Sequence, residues 1–404
     1  MNIQKKMYIL FFSVILSFFM LYCLYPAIEF YIHGYKKLLV SIITLLFCYY
    51  VCFKFIISIH SYARVDKVET INFQRLIGMD IIRCVACVLV ILVHFIISIG
   101  WYNQAPEGGE WFVVAIIRWL AQCCCPLFMI LSGYFLSNRT AGIKHLNGLI
   151  HFIRNYAFLC IMCVLVNRDY SYESIKNLIN LSHYWYIDMY FGLFLLVPFL
   201  NILWKYATNQ EKNLLVCVLI FLSSVGTVTN HWLTNYWYGL YPIMYYFLGN
   251  WLHDYEIKMD YQKIKIIICI TIGLCLQALF TFFANYGKPF DWVLNFDGYS
   301  CAYNSLPVAF VSVLLVLFFK DIIISNRYVS YVLTLISRNS LEVYLSLVMF
   351  LGGISQQFVF AKFGGFFGTW GCFIILIPLE LFLSTTLGML LNKTLNLFQQ
   401  IIKI

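Results

Sequence analysis

Charge is what this sequence has least of. Lysine, arginine, aspartate and glutamate make up 11% of its 404 residues, against 62% hydrophobic ones, where soluble domains carry roughly a quarter charged residues. Also missing is any polar stretch long enough to fold as a separate soluble domain. Apolar runs of about twenty residues, the length that crosses a bilayer, instead recur along nearly the whole chain. A soluble enzyme is thereby excluded, and the membrane region itself must carry the activity.

Other absences narrow the reading further. The net charge is +9, but no basic run interleaves with aromatics, so the chain is expected to bind membrane lipid and no nucleic acid. The 15 cysteines include CxxC spacings at Cys84/Cys87 and Cys160/Cys163 and a run from Cys123 to Cys125. All of these lie in apolar segments, where cysteine behaves as a small hydrophobe, so no metal centre and no bound cofactor is expected. No A-x-A-like cleavage site follows the first apolar run, "MYILFFSVILSFFMLYCLYPA", which reads as a retained signal-anchor helix. No internal repeat is visible, which weighs against the inverted-repeat transporters.

What is present is a series of spans. Segmentation by apolar runs predicts twelve, at about 7–28, 38–59, 79–99, 111–136, 149–166, 184–204, 214–229, 237–252, 264–284, 304–323, 330–352 and 369–391. The fold class is therefore all-α, a polytopic membrane bundle. Residues 1–60 form two accessory helices, 61–78 a polar cytoplasmic linker, 79–392 a ten-helix core and 393–404 a cytoplasmic tail. With the N-terminus inside, Arg64, Lys67, Arg75, Arg139, Lys205 and Lys258, among others, collect on that side. Lys36, Lys37, Arg168, Lys176, Lys288 and Lys362 fall outside. The asymmetry predicts cytoplasmic termini and residence in the cytoplasmic (inner) membrane.

Within the third span, "DIIRCVACVLVILVHF" carries Asp80, Arg83 and His94. Eleven helical steps separate Arg83 from His94, three turns plus roughly 20°, so they share a face about 16 Å apart. Asp80 can pair with Arg83 one turn away. Ionisable groups inside a span usually face a protein interior or a watery cavity, although headgroup anchoring and a helix-to-helix hydrogen bond explain the same spacing. An imidazole with no adjacent Ser or Cys nucleophile motif suits general-base activation of a hydroxyl, while Arg83 and Arg118 suit anions such as phosphates. In "PLFMILSGYFL", Pro126 is expected to kink its helix, and Ser132 with Gly133 offers a small polar patch for a neighbouring helix or a substrate.

These two stretches resemble the acyltransferase family 3 membrane enzymes. The family's hallmark is an Arg, ten intervening residues and a His, matched by Arg83 and His94. Its second signature is a Pro-aromatic run ending in Ser-Gly-aromatic-Leu, matched at 126–136. "YWYIDMYFGLFLLVPFLN", "YYFLGNWL" and "ISRNSLEVYLSLVMF" resemble later elements in order, so the likeness covers roughly residues 75 to 390. Where members commonly have a His three residues after the last Tyr, this chain has Leu347, and no tight basic pair follows the Ser-Gly signature. The resemblance implies transfer of an acyl group, most often acetyl, from cytoplasmic acyl-CoA as co-substrate to a hydroxyl of a surface polysaccharide or its lipid-linked precursor. His94 and Arg83 would be catalytic, and Arg118, Arg139, Lys144 and Arg154, with His145 nearby, are the groups left to hold the donor.

Further residues have two readings each. Trp185 and Asp188, flanked by Tyr186 and Tyr190, suit an interfacial anchor or a sugar platform. Asp297, in the outer loop with Asp291, Trp292, Asn295 and Tyr299, suits sugar hydroxyls or a capping loop. Glu342 lies one turn from Arg338 and is expected to serve helix pairing. Glu380 has no local partner. A glycan transporter or flippase, or a non-catalytic export component, would also use twelve spans with buried charge, but neither needs acyl-CoA.

Overall fold

The computed structural model describes residues 77–105, 107–167, 184–224, 235–255, 263–285 and 303–402, with further positions at 42, 43, 46, 49, 50, 171–173 and 176. Most of the accessory pair 1–60, nearly all of the linker 61–78 and Asp297 with its outer loop lie outside the described residues, as does the side chain of Lys144. The described residues are helical, without a strand among them. They divide into a larger unit, Leu76–Ile323 with Ser340–Phe350, and a smaller one whose described part covers 324–339 and 351–402 with positions 42, 43, 46, 49 and 50.

In the larger unit α1 is Ile77–Ser98, α2 Gly108–Ala121, α3 Cys124–Leu136, α4 Ile143–Asn167 and α5 Trp185–Tyr206. They are followed by α6 Asn209–Ser224, α7 Tyr241–Asp254, α8 Lys263–Asn285, α9 Leu306–Phe319 and, after the smaller unit's α10 Arg327–Arg338, by α11 Ser340–Ser346. The 22 residues of α1 extend about 33 Å, enough to cross the hydrocarbon core. Buried Met79, Ile82, Ala86, Leu89, Val90, Val93 and Ile96 line its inward stripe.

The tightest packing is the crossing of α3 on α7. A Cβ on Gly133 would lie 1.9 Å from Tyr246 O, and one on Gly249 2.1 Å from Ile130 O, so only glycine at both places allows the two backbones to touch. The pairing role expected of Gly133 therefore has a physical basis, and its partner is the glycine of "YYFLGNWL". A similar approach occurs at the start of α1, where a Cβ on Gly78 would stand 2.3 Å from both Phe319 O and Lys320 O.

Among the described residues six helices are long and apolar enough to cross a membrane: Ile77–Ser98, Gly108–Leu136, Asn147–Val164, Trp185–Tyr206, Lys263–Phe283 and Gly368–Lys393. Each coincides with an expected span. The other four of the expected core differ: α6, α7 and α9 are short, and 330–352 is interrupted between Arg338 and Ser340. Asn339 explains the interruption, since its φ of −103° and ψ of 19° leave the helical region. Of the ten expected core spans, six are thus long enough among the described residues, or seven if the interrupted pair is one, and the accessory two lie mostly outside the described residues. Pro126 also behaves differently from expectation. The chain breaks three to four residues earlier, at Gln122–Cys123, and Pro126 falls in the first turn of α3, where a missing N–H costs no helical bond.

The smaller unit contains α10 and α12, Gly352–Ile402, which is interrupted at Gly368 with φ 65° and ψ −178°. Asn326 caps α10 by accepting from Tyr328 N and Val329 N. Buried Glu380 accepts a short hydrogen bond from Ser355, the partner that local sequence did not supply.

Candidate active site

Arg83 and His94 mark two ends of the larger unit. The Arg83 guanidinium lies 4.5 Å over the Phe135 ring, which fixes the start of α1 beside the end of α3. Asn201 of α5 joins the same end. Its Nδ2 donates to Leu136 O at 2.7 Å and Arg139 O at 2.8 Å, while its Oδ1 accepts from Tyr246 Oη at 2.7 Å. Carbonyls left over at the α3 terminus are satisfied this way, and α3, α5 and α7 are pinned at one point.

Beside that pin opens a cavity of about 510 Å³, walled by Arg139, Asn201, Trp204, Lys205, Lys212 and Asp254 among others. Among the described residues three cations and one carboxylate line it. Asp254 Oδ2 accepts from Trp204 Nε1 at 2.8 Å and from Lys212 Nζ at 2.7 Å, and Oδ1 lies 3.2 Å from His253 Nδ1. Burial pushes the Asp254 carboxyl up, but the bonds from Lys212, Trp204 and His253 outweigh it and hold its pKa below the usual carboxylate value. A volume of this size fits part of a large ligand, and Arg and Lys suit phosphate oxygens.

His94 stands at the other end of α1. It is half-buried and makes no hydrogen bond or ion pair among the described residues. Past it, Trp101 and Trp111 stack at 5.2 Å, and fully buried Arg118 donates through Nε to Tyr102 Oη at 3.4 Å. Trp185 lies sixteen residues from Asn201 along α5, about 24 Å, and therefore towards the His94 end. It stacks on Tyr303 at 4.9 Å and is 42% exposed.

The structure gathers the expected residues only in part. Arg139 is in the cavity wall, Arg118 is at the opposite end of α1, and Arg154 lies eleven residues, about 16 Å, along α4. Arg118, Arg139 and Arg154 thus do not form one cluster, and the Lys144 side chain lies outside the described residues. Asp80 is buried in the first turn of α1. The Ser132 hydroxyl donates to Phe128 O at 2.8 Å within its own helix. Asp188 is exposed in the first turn of α5. Glu342 is buried and accepts from Asn155 Nδ2 at 2.6 Å, a helix-pairing bond between α11 and α4. Leu347 is buried and opens the single π turn Leu347–Leu351, a feature often found at functional sites.

Sequence reasoning missed Asn201, Lys205, Lys212 and Asp254 as one group. The hint was the run of polar residues at the ends of 184–204 and 237–252, but nothing in the spacing says that two helix ends fifty residues apart meet. Among the described residues no group of three or more His, Cys, Asp or Glu side chains could hold a metal ion.

An acyltransferase domain of family 3 matches the chain over residues 76–390. The chain belongs to acyltransferase family 3. It is accordingly a membrane acyltransferase, and the matched region contains α1, the cavity and the glycine crossing. No curated protein and no solved structure matches it.

Proposed function

We propose that this acyltransferase moves an acyl group, acetyl in the first instance, from cytoplasmic acyl-CoA to a hydroxyl of a cell-surface polysaccharide or its lipid-linked precursor, in the inner membrane with both termini cytoplasmic. The supporting observation is the basic cavity at the Arg83 end of α1, with His94 on the same helix about 16 Å away. Arg139, Lys205 and Lys212 would hold donor phosphates, and Arg83 would neutralise charge beside them. At the other end His94 would take the acceptor hydroxyl's proton as its oxygen attacks the acyl carbonyl. The C–O bond forms, the C–S bond breaks, and the CoA thiolate leaves to be protonated by solvent or by His94. Trp185 on Tyr303, with Asp188 nearby on α5, would offer the acceptor sugar a flat face and a carboxylate. Asp297 would contribute to the same acceptor side.

The test compares membranes holding equal amounts of wild type and His94→Ala for incorporation of label from radiolabelled acetyl-CoA into surface glycan. Label should appear with wild type and vanish with the variant. Label from both would remove His94 from the reaction, and no label from either would remove acetyl-CoA as the donor.

A further inference from the structure

His145, in the first turn of α4, is 5% exposed, yet neither ring nitrogen has a hydrogen-bond partner among the described residues. Burying such a group without a partner is unfavourable, and cases of this kind call for a physical reason. Packing gives only part of one. The ring stacks on Phe194 at 4.3 Å with 9° between planes, a contact that a phenyl ring would make as well without the unpaired nitrogens.

Position supplies the rest. On α5, Phe194, Pro198, Asn201 and Lys205 follow one another at spacings of four, three and four, and so share a face. The last three of these line the basic cavity. On the other side, Ala141 lines the cavity too, and His145 follows it by four residues, with its backbone N–H bonded to Gly142 O at 3.0 Å. The buried imidazole is thus bracketed by the cavity wall from both elements. A Cβ on Gly148 would already be 3.0 Å from Phe194 Cζ, so α4 and α5 are at close quarters just beyond it. The side-chain amides of Gln122 and Gln277 are also buried without a hydrogen-bond partner among the described residues, but neither adjoins a cavity residue in sequence.

We infer that His145 is a binding residue for the acyl donor, hydrogen-bonding the amide-bearing arm of CoA where it runs inward from the cavity past Pro198. The inference rests on the donor reading above and adds a recognition point that is separate from the phosphates. Amide N–H and C=O groups match an imidazole that donates from one nitrogen and accepts at the other.

The test is thermal-shift titration of the purified full-length protein in detergent with CoA and, separately, with adenosine 3′,5′-bisphosphate, which keeps part of the nucleotide end and lacks the arm. His145→Phe should unfold at or above the wild-type temperature without ligand, since a phenyl ring keeps the stack and removes the unpaired nitrogens. It should bind CoA about tenfold more weakly and the bisphosphate as wild type does. His145→Leu reads the same quantity in a second background, and His145→Gln should recover most of the CoA affinity. Unchanged CoA binding by His145→Phe and His145→Leu, or equal weakening of both ligands, overturns the inference and leaves the donor reading in place. Absence of any CoA response in wild type overturns both.

Discussion

Replacing Gly133 by alanine adds one methyl group where α3 meets α7. That methyl would sit 1.9 Å from Tyr246 O and 2.8 Å from Tyr246 C, whereas ordinary contacts begin near 3.4 Å. The helices must therefore part by about 1.5 Å, and the obstructing atoms are backbone, which has no rotamer to escape into. Overpacking of this kind costs about 1–3 kcal/mol. The separation also strains the Asn201 pin, whose bonds to Tyr246 Oη and Leu136 O are 2.7 Å each, adding about 1 kcal/mol per bond lost. A total of about 3–5 kcal/mol lowers the unfolding midpoint by roughly 6–20 °C for a unit of this size. The measurement is thermal unfolding of the purified protein in detergent, followed by tryptophan fluorescence. Gly192→Ala serves as comparison, because among the described residues nothing lies within 4 Å of its Cβ position; it should be neutral or slightly stabilising, as alanine favours helix. If Gly133→Ala melts within about 2 °C of wild type, on the same scale, the backbone contact is not what holds the crossing.

The remaining expectations concern the cavity and the far end of α1. Asn201→Leu removes three hydrogen bonds at the cavity rim; it should cost about 2–4 kcal/mol and reduce acyl transfer, both measured on membranes of equal protein content. Asp254→Asn weakens the tie to Lys212. Because the folded pKa of Asp254 lies below its unfolded value, its stabilisation is present above about pH 4 and disappears as pH falls through the folded pKa. The melting difference between wild type and variant should therefore be seen at pH 7 and shrink on acidification; a difference independent of pH refutes the assignment. Trp119→Phe removes the 2.8 Å bond from Nε1 to Thr281 Oγ1 and should cost about 1 kcal/mol. Thr281 keeps its own bond to Gln277 O, so no larger loss is expected in a melting measurement.

Much of this molecule is legible in the order of its residues. The six long spans follow directly from apolar runs, because a bilayer imposes a length that a hydropathy window can read. Arg83 and His94 share a face by arithmetic alone. The shorter helices escape the same method, since α6, α7 and α9 are apolar but fall short of the crossing length, and Asn339 interrupts an otherwise continuous pattern. Gly133 could be marked for close packing, yet its mate Gly249 lies more than a hundred residues on, and no local rule pairs them. The cavity is harder still. It is assembled from the ends of α3, α5, α6 and α7, and such termini look like ordinary interfacial charge until the helices are placed side by side.

The uninterrupted course of α1 has a mechanical consequence. Arg83 and His94 are fixed to one rod of 22 residues, and an unbroken helix resists stretching. No hinge lies between them, so rearrangement elsewhere in the protein can tilt or shift the pair but cannot bring its members together. Under the proposed donor reading, any variation in reach across that interval must come from the substrate. A thioester on a shortened carrier should then occupy the protein yet leave its acyl group stranded, and the tolerated length of the carrier would be a property set by α1 itself.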